Sequence, residues 1–248
     1  MTGGSDLGAV ARTALADAWQ ELGRVHGAVA SLPGVRLMAS GLPHPQWNTG
    51  DVDDADEVDV AAVRAWYEAR RVPWGLRVPP HVGWTRGRRL FRQRLMVLPG
   101  AAFRLSPSLD AVEVHLATEA DLDAVVDVDA AAFHADPALQ RRWLAPHLRA
   151  SPVVTTALAV DRRRPIGTAY SVYSNGRAGP ALYVAGVGVL PGHRRRGVAA
   201  AMSSWLIARG IDDGARWVHL HPDTDEAARV YARLGFLEVD GVDVFVGI

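Results

Sequence analysis

Hydrophobic residues along this chain recur with a period of two in some stretches and near 3.6 in others, which predicts strands and helices in alternation. The pattern is clearest in the second half. Residues 112–117 read as a strand. Thr118 followed by Asp121 marks a helix start, and Leu122, Val125, Val126 and Ala130 then repeat at helical spacing through Phe133. A short helix is expected over 138–148. Strands follow at 153–160 and 166–173, joined through Asp161-Arg162-Arg163-Arg164-Pro165, and Asn175-Gly176 signals the next turn. The run 181–190 is apolar and rich in strand formers until Pro191-Gly192 stops it. Helical spacing returns over 199–209, with Gly210 as its stop. A strand at 217–221, a helix at 224–234 and a closing pair of strands at 236–239 and 242–246, across Asp240-Gly241, complete the order. Such alternation suits an α/β (α+β) layer fold, a sheet flanked by helices.

The first half is patterned less regularly. Residues 6–30 have helical periodicity, 35–40 reads as a strand, 58–71 as a helix, 74–78 as a strand, and 90–98 as strand or helix. Pro99-Gly100 and Ser106-Pro107-Ser108 make 98–109 the best linker, so two units are expected, 1–105 and 109–248. Five of the eight tryptophans, Trp19, Trp47, Trp66, Trp74 and Trp84, fall in the first unit, where most should be core. Trp47 sits in the aperiodic stretch P-H-P-Q-W-N-T-G and either joins that core or reaches across to the second unit. The acidic run Asp51, Asp53, Asp54, Asp56, Glu57 and Asp59 either attracts a cationic amine or is a solvated loop leading into a helix.

Candidate chemistry is concentrated at Val187 to Ala200, V-G-V-L-P-G-H-R-R-R-G-V-A-A, where an apolar strand meets a basic turn and then a helix. A helix start holds N–H groups without partners and a partial positive charge, so Arg195 to Ala200 can surround a pyrophosphate with donors. Gly197 and Ala199 let phosphate oxygens approach the backbone, and Arg194, Arg195 and Arg196 add charge at the mouth. An ordinary strand, turn and helix with solvated arginines would carry the same local string.

Two motifs in order extend this reading. Pro191-x-x-Arg194-x-x-Gly197-x-Ala199 resembles the R/Q-x-x-G-x-G/A signature of the GCN5-related N-acetyltransferases, the GNAT superfamily. Thr224 to Phe236, T-D-E-A-A-R-V-Y-A-R-L-G-F, is similar to that family's N-x-x-A-x-x-L-Y-x-x-x-G-F helix. The resemblance covers about residues 110 to 248 and implies a mixed, mostly antiparallel sheet with acetyl-CoA as acyl donor. It assigns donor binding to Val187, Gly188 and Val189 on the strand and to Arg194, Arg195, Arg196, Gly197, Val198, Ala199 and Ala200 in the turn. A β-bulge near Gly186 or Gly188 would splay that strand from its neighbour. Tyr231 falls where the family commonly places a tyrosine beside the CoA sulfur, so a phenol is available to protonate the leaving thiolate. Thr224 stands at the family's asparagine; its hydroxyl can cap the helix but lacks the amide's donors for pantetheine.

The base is less conventional. Some members use a glutamate on the strand before the turn, and Tyr183 occupies that register here. Counting back from Thr224, as for the base of the family's protein N-terminal alanine acetyltransferases, gives His219, which shares a strand face with Trp217 and His221. It would take the amine proton at about pH 6 to 7. The resemblance therefore implies acetyl transfer to a primary amine by direct attack in a ternary complex, with a small-molecule acceptor favoured over a protein N-terminus. A CoA-binding sensor or scaffold without transfer is the rival. The first unit reads as a degenerate second copy of the family fold or as an unrelated α/β appendage.

Composition adds bounds. A chain of 248 residues, 49% hydrophobic, can bury one large core or two modest ones. Lysine plus arginine equals aspartate plus glutamate at 27 each, which gives no general pull toward nucleic acid or an anionic membrane. With no cysteine there is no disulfide, thiolate metal site or cysteine acyl-enzyme, and no metal is expected. No apolar run reaches the ~20 residues that cross a bilayer, so a cytoplasmic monomer or homodimer is the default expectation.

Overall fold

The first half folds as α1 (Gly3–His26), β1 (Ala28–Leu32), β2 (Val35–Ala39), β3 (Thr49–Val52), α2 (Val60–Glu68), β4 (Gly75–Val78) and β5 (Arg88–Pro99). The second continues with β6 (Val112–Leu116), α3 (Leu122–Phe133), α4 (Pro137–His147), β7 (Val154–Asp161), β8 (Arg164–Gly176), β9 (Gly179–Val189), α5 (Val198–Asp212), β10 (Trp217–Leu220), α6 (Asp225–Arg233) and β11 (Leu237–Val246). This computed structural model describes residues 3–248, with side chains from residue 7 onward.

All the strands join one sheet in the order β1-β2-β3-β4-β11-β5-β10-β9-β8-β7-β6. Among the described residues only β3 with β4 and β9 with β10 run parallel, so the sheet is mixed and mostly antiparallel. It has an internal two-fold pattern centred between β11 and β5. On one side the parallel pair β3–β4 is followed by antiparallel β11; on the other the parallel pair β9–β10 is followed by antiparallel β5. Each half thus places its last strand beside the parallel pair of the other half.

Three expectations change in consequence. Residues 90–98 are strand, and β5 pairs Leu98 with Val218 and Val97 with Leu237, inside the second half. The closing pair at 236–246 is one strand, because β5 runs beside its length; the register slips between Val239 and Val242, where Gly241 lies against the Gln93 backbone. The first helix ends at His26 and the chain turns at once into β1, with Gly27 so close to the Ala39 carbonyl that a side chain would collide. The segment 98–109 leaves β5, makes a short 3-10 turn at Gly100–Ala102 and lies along α5, where the Ser106 N–H donates to Ser204 Oγ at 2.9 Å.

Alternate strand residues feed opposite faces. Leu95 and Val97 of β5 join Leu15, Val125 and Trp143 under α1, α3 and α4, whereas Met96 and Leu98 join Met202 and Tyr231 under α5 and α6. On that second face α2 covers Leu37, Leu76 and Val78 through Val63 and Tyr67.

Candidate active site

β9 and β10 pair over three residues, ending at Tyr183 with His219, after which β9 continues to Val189 beside β8 but without β10. The reason is local. Opposite β8, the register slips between Thr168 and Tyr170, and Gly186 adopts φ 58°, a conformation that favours glycine. A Cβ there would meet the Tyr170 ring at 2.6 Å. The expected bulge therefore lies at Gly186. Gly188 serves packing instead: a Cβ would meet Ala132 at 2.9 Å and Phe133 at 3.0 Å on α3. Past the bulge, the β9 edge facing β10 is unpaired through Val187, Gly188 and Val189, which leaves backbone donors and acceptors for an extended ligand.

The turn after β9 reaches α5 through Gly197, at φ 85°, whose N-cap position carries no side chain to satisfy the first turn's N–H groups. A Cβ on Gly197 would meet only Leu109, at 3.4 Å, so the space before Val198, Ala199 and Ala200 is open. These residues fit a pyrophosphate. The three arginines divide the labour differently from the expectation. Arg194 turns inward and donates to the Val189 carbonyl at 3.1 Å and the Ala132 carbonyl at 2.9 Å, locking the turn to α3. Arg196 pairs with Asp161 at 2.9 Å. Among the described residues only Arg195, at φ 62°, has a guanidinium left unengaged at the mouth.

Tyr231 lies on α6 in the core layer that holds Val184 and Val189 of β9, edge-on to Phe236 with ring centroids 5.9 Å apart. Burial, helped by the nearby Asp223 carboxylate, pushes its pKa up to about 12, so the phenol stays protonated at neutral pH. Thr224 is occupied as a helix cap, its Oγ1 accepting from the Ala227 N–H at 3.1 Å.

His219 requires a correction. Its ring is wholly buried, stacked on Tyr183 at 5.1 Å, with both nitrogens lacking hydrogen-bond partners. Burial, with His221 nearby, pushes its pKa down to about 3, and a neutral, enclosed imidazole cannot take an amine proton near pH 7. It shapes the wall. His221 is half-buried, with Nδ1 3.8 Å from Asp223 Oδ1.

Sequence reading passed over one carboxylate, on α3. Asp129 is buried on α3, one turn before the Ala132 and Phe133 contacts with Gly188. It faces Tyr170, the ring beneath the Gly186 bulge. No cation pairs with it among the described residues, and burial pushes its pKa up to about 7. The signal was present: Asp129 follows Val125 by four and Val126 by three, an acid inside an apolar helical stripe.

The first half closes this side. Trp47 stacks on Trp143 of α4 at 4.6 Å, and His26 of α1 stacks on the same indole at 4.1 Å. Three members of the acidic run have structural roles: Asp51 pairs with Arg77, Asp53 with Arg36, and Asp59 caps α2. Among the described residues no helix is long and apolar enough to cross a membrane, and no group of three or more His, Cys, Asp or Glu could hold a metal ion.

A splayed parallel pair running into an open, glycine-started helix has a known parallel. A model of the acetyltransferase (GNAT) domain family matches residues 113–239, just over half the chain. The chain belongs to the GNAT acetyltransferase family. Among solved structures it is similar to a GCN5-related N-acetyltransferase from Kribbella flavida, with TM-score 0.74 and 19% identity over 96% of each chain. A functionally unknown conserved protein from Staphylococcus epidermidis follows the same fold, with TM-score 0.61 and 15% identity over 90% of this chain and 96% of that one. A GNAT-family protein from Novosphingobium aromaticivorans does so with TM-score 0.60 and 19% identity over 92% and 95%. No curated protein matches this chain. The likeness to the full-length structures takes in both halves of the sheet, so the first half is part of the shared fold.

Proposed function

We propose that this protein transfers the acetyl group of acetyl-CoA to a primary amine by direct attack in a ternary complex, with a small-molecule acceptor favoured. The observation that carries the reading is the unpaired β9 edge leading into the open cradle at Gly197. In this proposal the first-turn N–H groups of α5 and Arg195 hold the pyrophosphate, while the backbone of Val187 to Val189 binds pantetheine and orients the thioester. The amine lone pair attacks the carbonyl carbon, the C–S bond breaks, and Tyr231 gives its proton to the departing thiolate. Asp129, on the α3 side of the bulge, takes the proton that the ammonium must lose. His219 and Tyr183 exclude water between the strands.

We also read the first half as a degenerate GNAT copy. The two-fold pattern of the sheet supports this, because a parallel pair joined through a helix and an exchanged last strand recur in the same order. Thiol release from acetyl-CoA across a panel of primary amines tests the activity. Release with at least one amine supports transfer, whereas acetyl-CoA binding without release from any amine would favour the sensor.

A further inference from the structure

Beyond the last β3–β4 pair, on the face that α1 covers, the first half opens a cleft lined by Arg12, Thr13, Asp51, Asp53, Arg77 and His81. By the two-fold pattern of the sheet this is the counterpart of the β9–β10 opening. It cannot serve the same ligand. Residues 53–59, D-D-A-D-E-V-D, stand where the second half has glycine and arginine, and Asp59 already accepts from the Ala61 and Ala62 N–H groups, so the start of α2 offers no open cradle for a pyrophosphate.

What the cleft offers instead is guanidinium. Arg77 is buried and fixed: its Nε and Nη2 donate to the two oxygens of Asp51, both at 2.7 Å, and its guanidinium carbon sits 4.4 Å over the Trp19 ring. That leaves Nη1 without a partner among the described residues. Arg12 makes a single bond, from Nη1 to the Asp240 carbonyl at 3.2 Å, so its Nε and Nη2 are also free. The acidic groups of the lining are already engaged. Asp51 is bonded to Arg77 through both oxygens; Asp53 accepts from Arg36 at 3.0 Å through each oxygen and from Arg177 at 2.7 Å. The open valences of the cleft are therefore donors, held partly out of water, and burial already works against the Arg12 charge.

We propose that this cleft binds a small oxyanion, the carboxylate or phosphate group of a small molecule, through Arg77 Nη1 and the Arg12 guanidinium, with the Thr13 hydroxyl as a further donor. The anion completes the hydrogen bonding of two arginines that the protein leaves half satisfied.

The test is calorimetric titration of the full chain with inorganic phosphate and, separately, with malonate, which tells a tetrahedral from a carboxylate ligand. Because the α5 cradle also attracts phosphate, each titration is repeated in Gly197→Trp. Removing Arg77 would strand buried Asp51, so Arg12→Ala carries the test. Expected is saturable binding of at least one probe, kept in Gly197→Trp and weakened about tenfold or more in Arg12→Ala, a loss of roughly 1.4 kcal/mol, with acetyl-CoA affinity unchanged. Saturation by neither probe would overturn the proposal. So would binding that survives Arg12→Ala, or binding that vanishes in Gly197→Trp. Acetyl-CoA titration of the wild type reports on the cradle alone, so the two readings can fail separately.

Discussion

In the second half β9 parts from β10 after Tyr183 and His219; in the first, β3 parts from β4 after Asp51 and Arg77. Both parallel pairs hold for three residues, and in both a helix connects the two strands. At the point of parting, one half has two stacked neutral rings and the other a buried ion pair. In the loop that follows, one half has glycine and arginine and the other a run of carboxylates. The backbone geometry is thus shared by the two halves, and the side chains laid on it differ.

Five substitutions probe that contrast, and a sixth serves as its control. Gly197→Trp should fill the cradle and force a left-handed position, cutting acetyl-CoA affinity by about 1,000-fold, roughly 4 kcal/mol, in calorimetry. Asp56→Trp, in the counterpart loop, should leave that affinity as it was. Arg77→Met should strand Asp51 and cost about 3 to 4 kcal/mol in urea unfolding. A cost below about 1 kcal/mol would mean that the ion pair is ornamental. Tyr231→Phe should lower kcat by about 100-fold or more without weakening acetyl-CoA binding; an unchanged kcat, with chemistry rate-limiting, would leave the ring a packing residue.

Asp129→Asn sharpens the comparison through pH. With a folded pKa about 7, the wild-type base is spent by protonation as pH falls, so kcat/KM should decline below about pH 7, and the variant should lose that limb. Stability runs the other way. The folded carboxylate holds a proton that the unfolded one has already released, so wild-type stability falls as pH rises between the unfolded value and about 7. Asp129→Asn should therefore melt higher than wild type at pH 8 and alike near pH 4. The smallest effect belongs to His219→Phe, which should leave the pH profile of kcat/KM unchanged; loss of a limb in this variant would return the histidine to the chemistry.

The parts of this molecule governed by local rules were legible in the sequence. Strand, turn and helix order from 112 onward follows from periodicity and punctuation, and the cradle follows from Gly197 and the helix start. The parts set by distant partners were not. Nothing near 88–99 announces that the strand will lie between β10 and β11, and nothing near Asp240-Gly241 says that a turn signal will be straightened by Gln93. The count that pointed to His219 fixed a strand face correctly and missed the burial, because the depth of a side chain depends on what α1, α3 and α4 lay over it. Arg194 misled for a related reason: a charge beside a phosphate turn was read as a phosphate contact, and the carbonyls it satisfies belong partly to a helix 62 residues earlier.

The exchange of β5 and β11 has a consequence for how the chain is made. β11 is synthesised after every other described element, yet β4, among the early ones, has no partner on that edge until it arrives. The first half must wait, its sheet incomplete, while the rest is translated, and the second closes only around a strand already waiting. Cutting the gene between residues 105 and 109 would produce two polypeptides with bare strand edges, prone to stick to one another and to themselves. Co-expressed, they should reassemble at those edges.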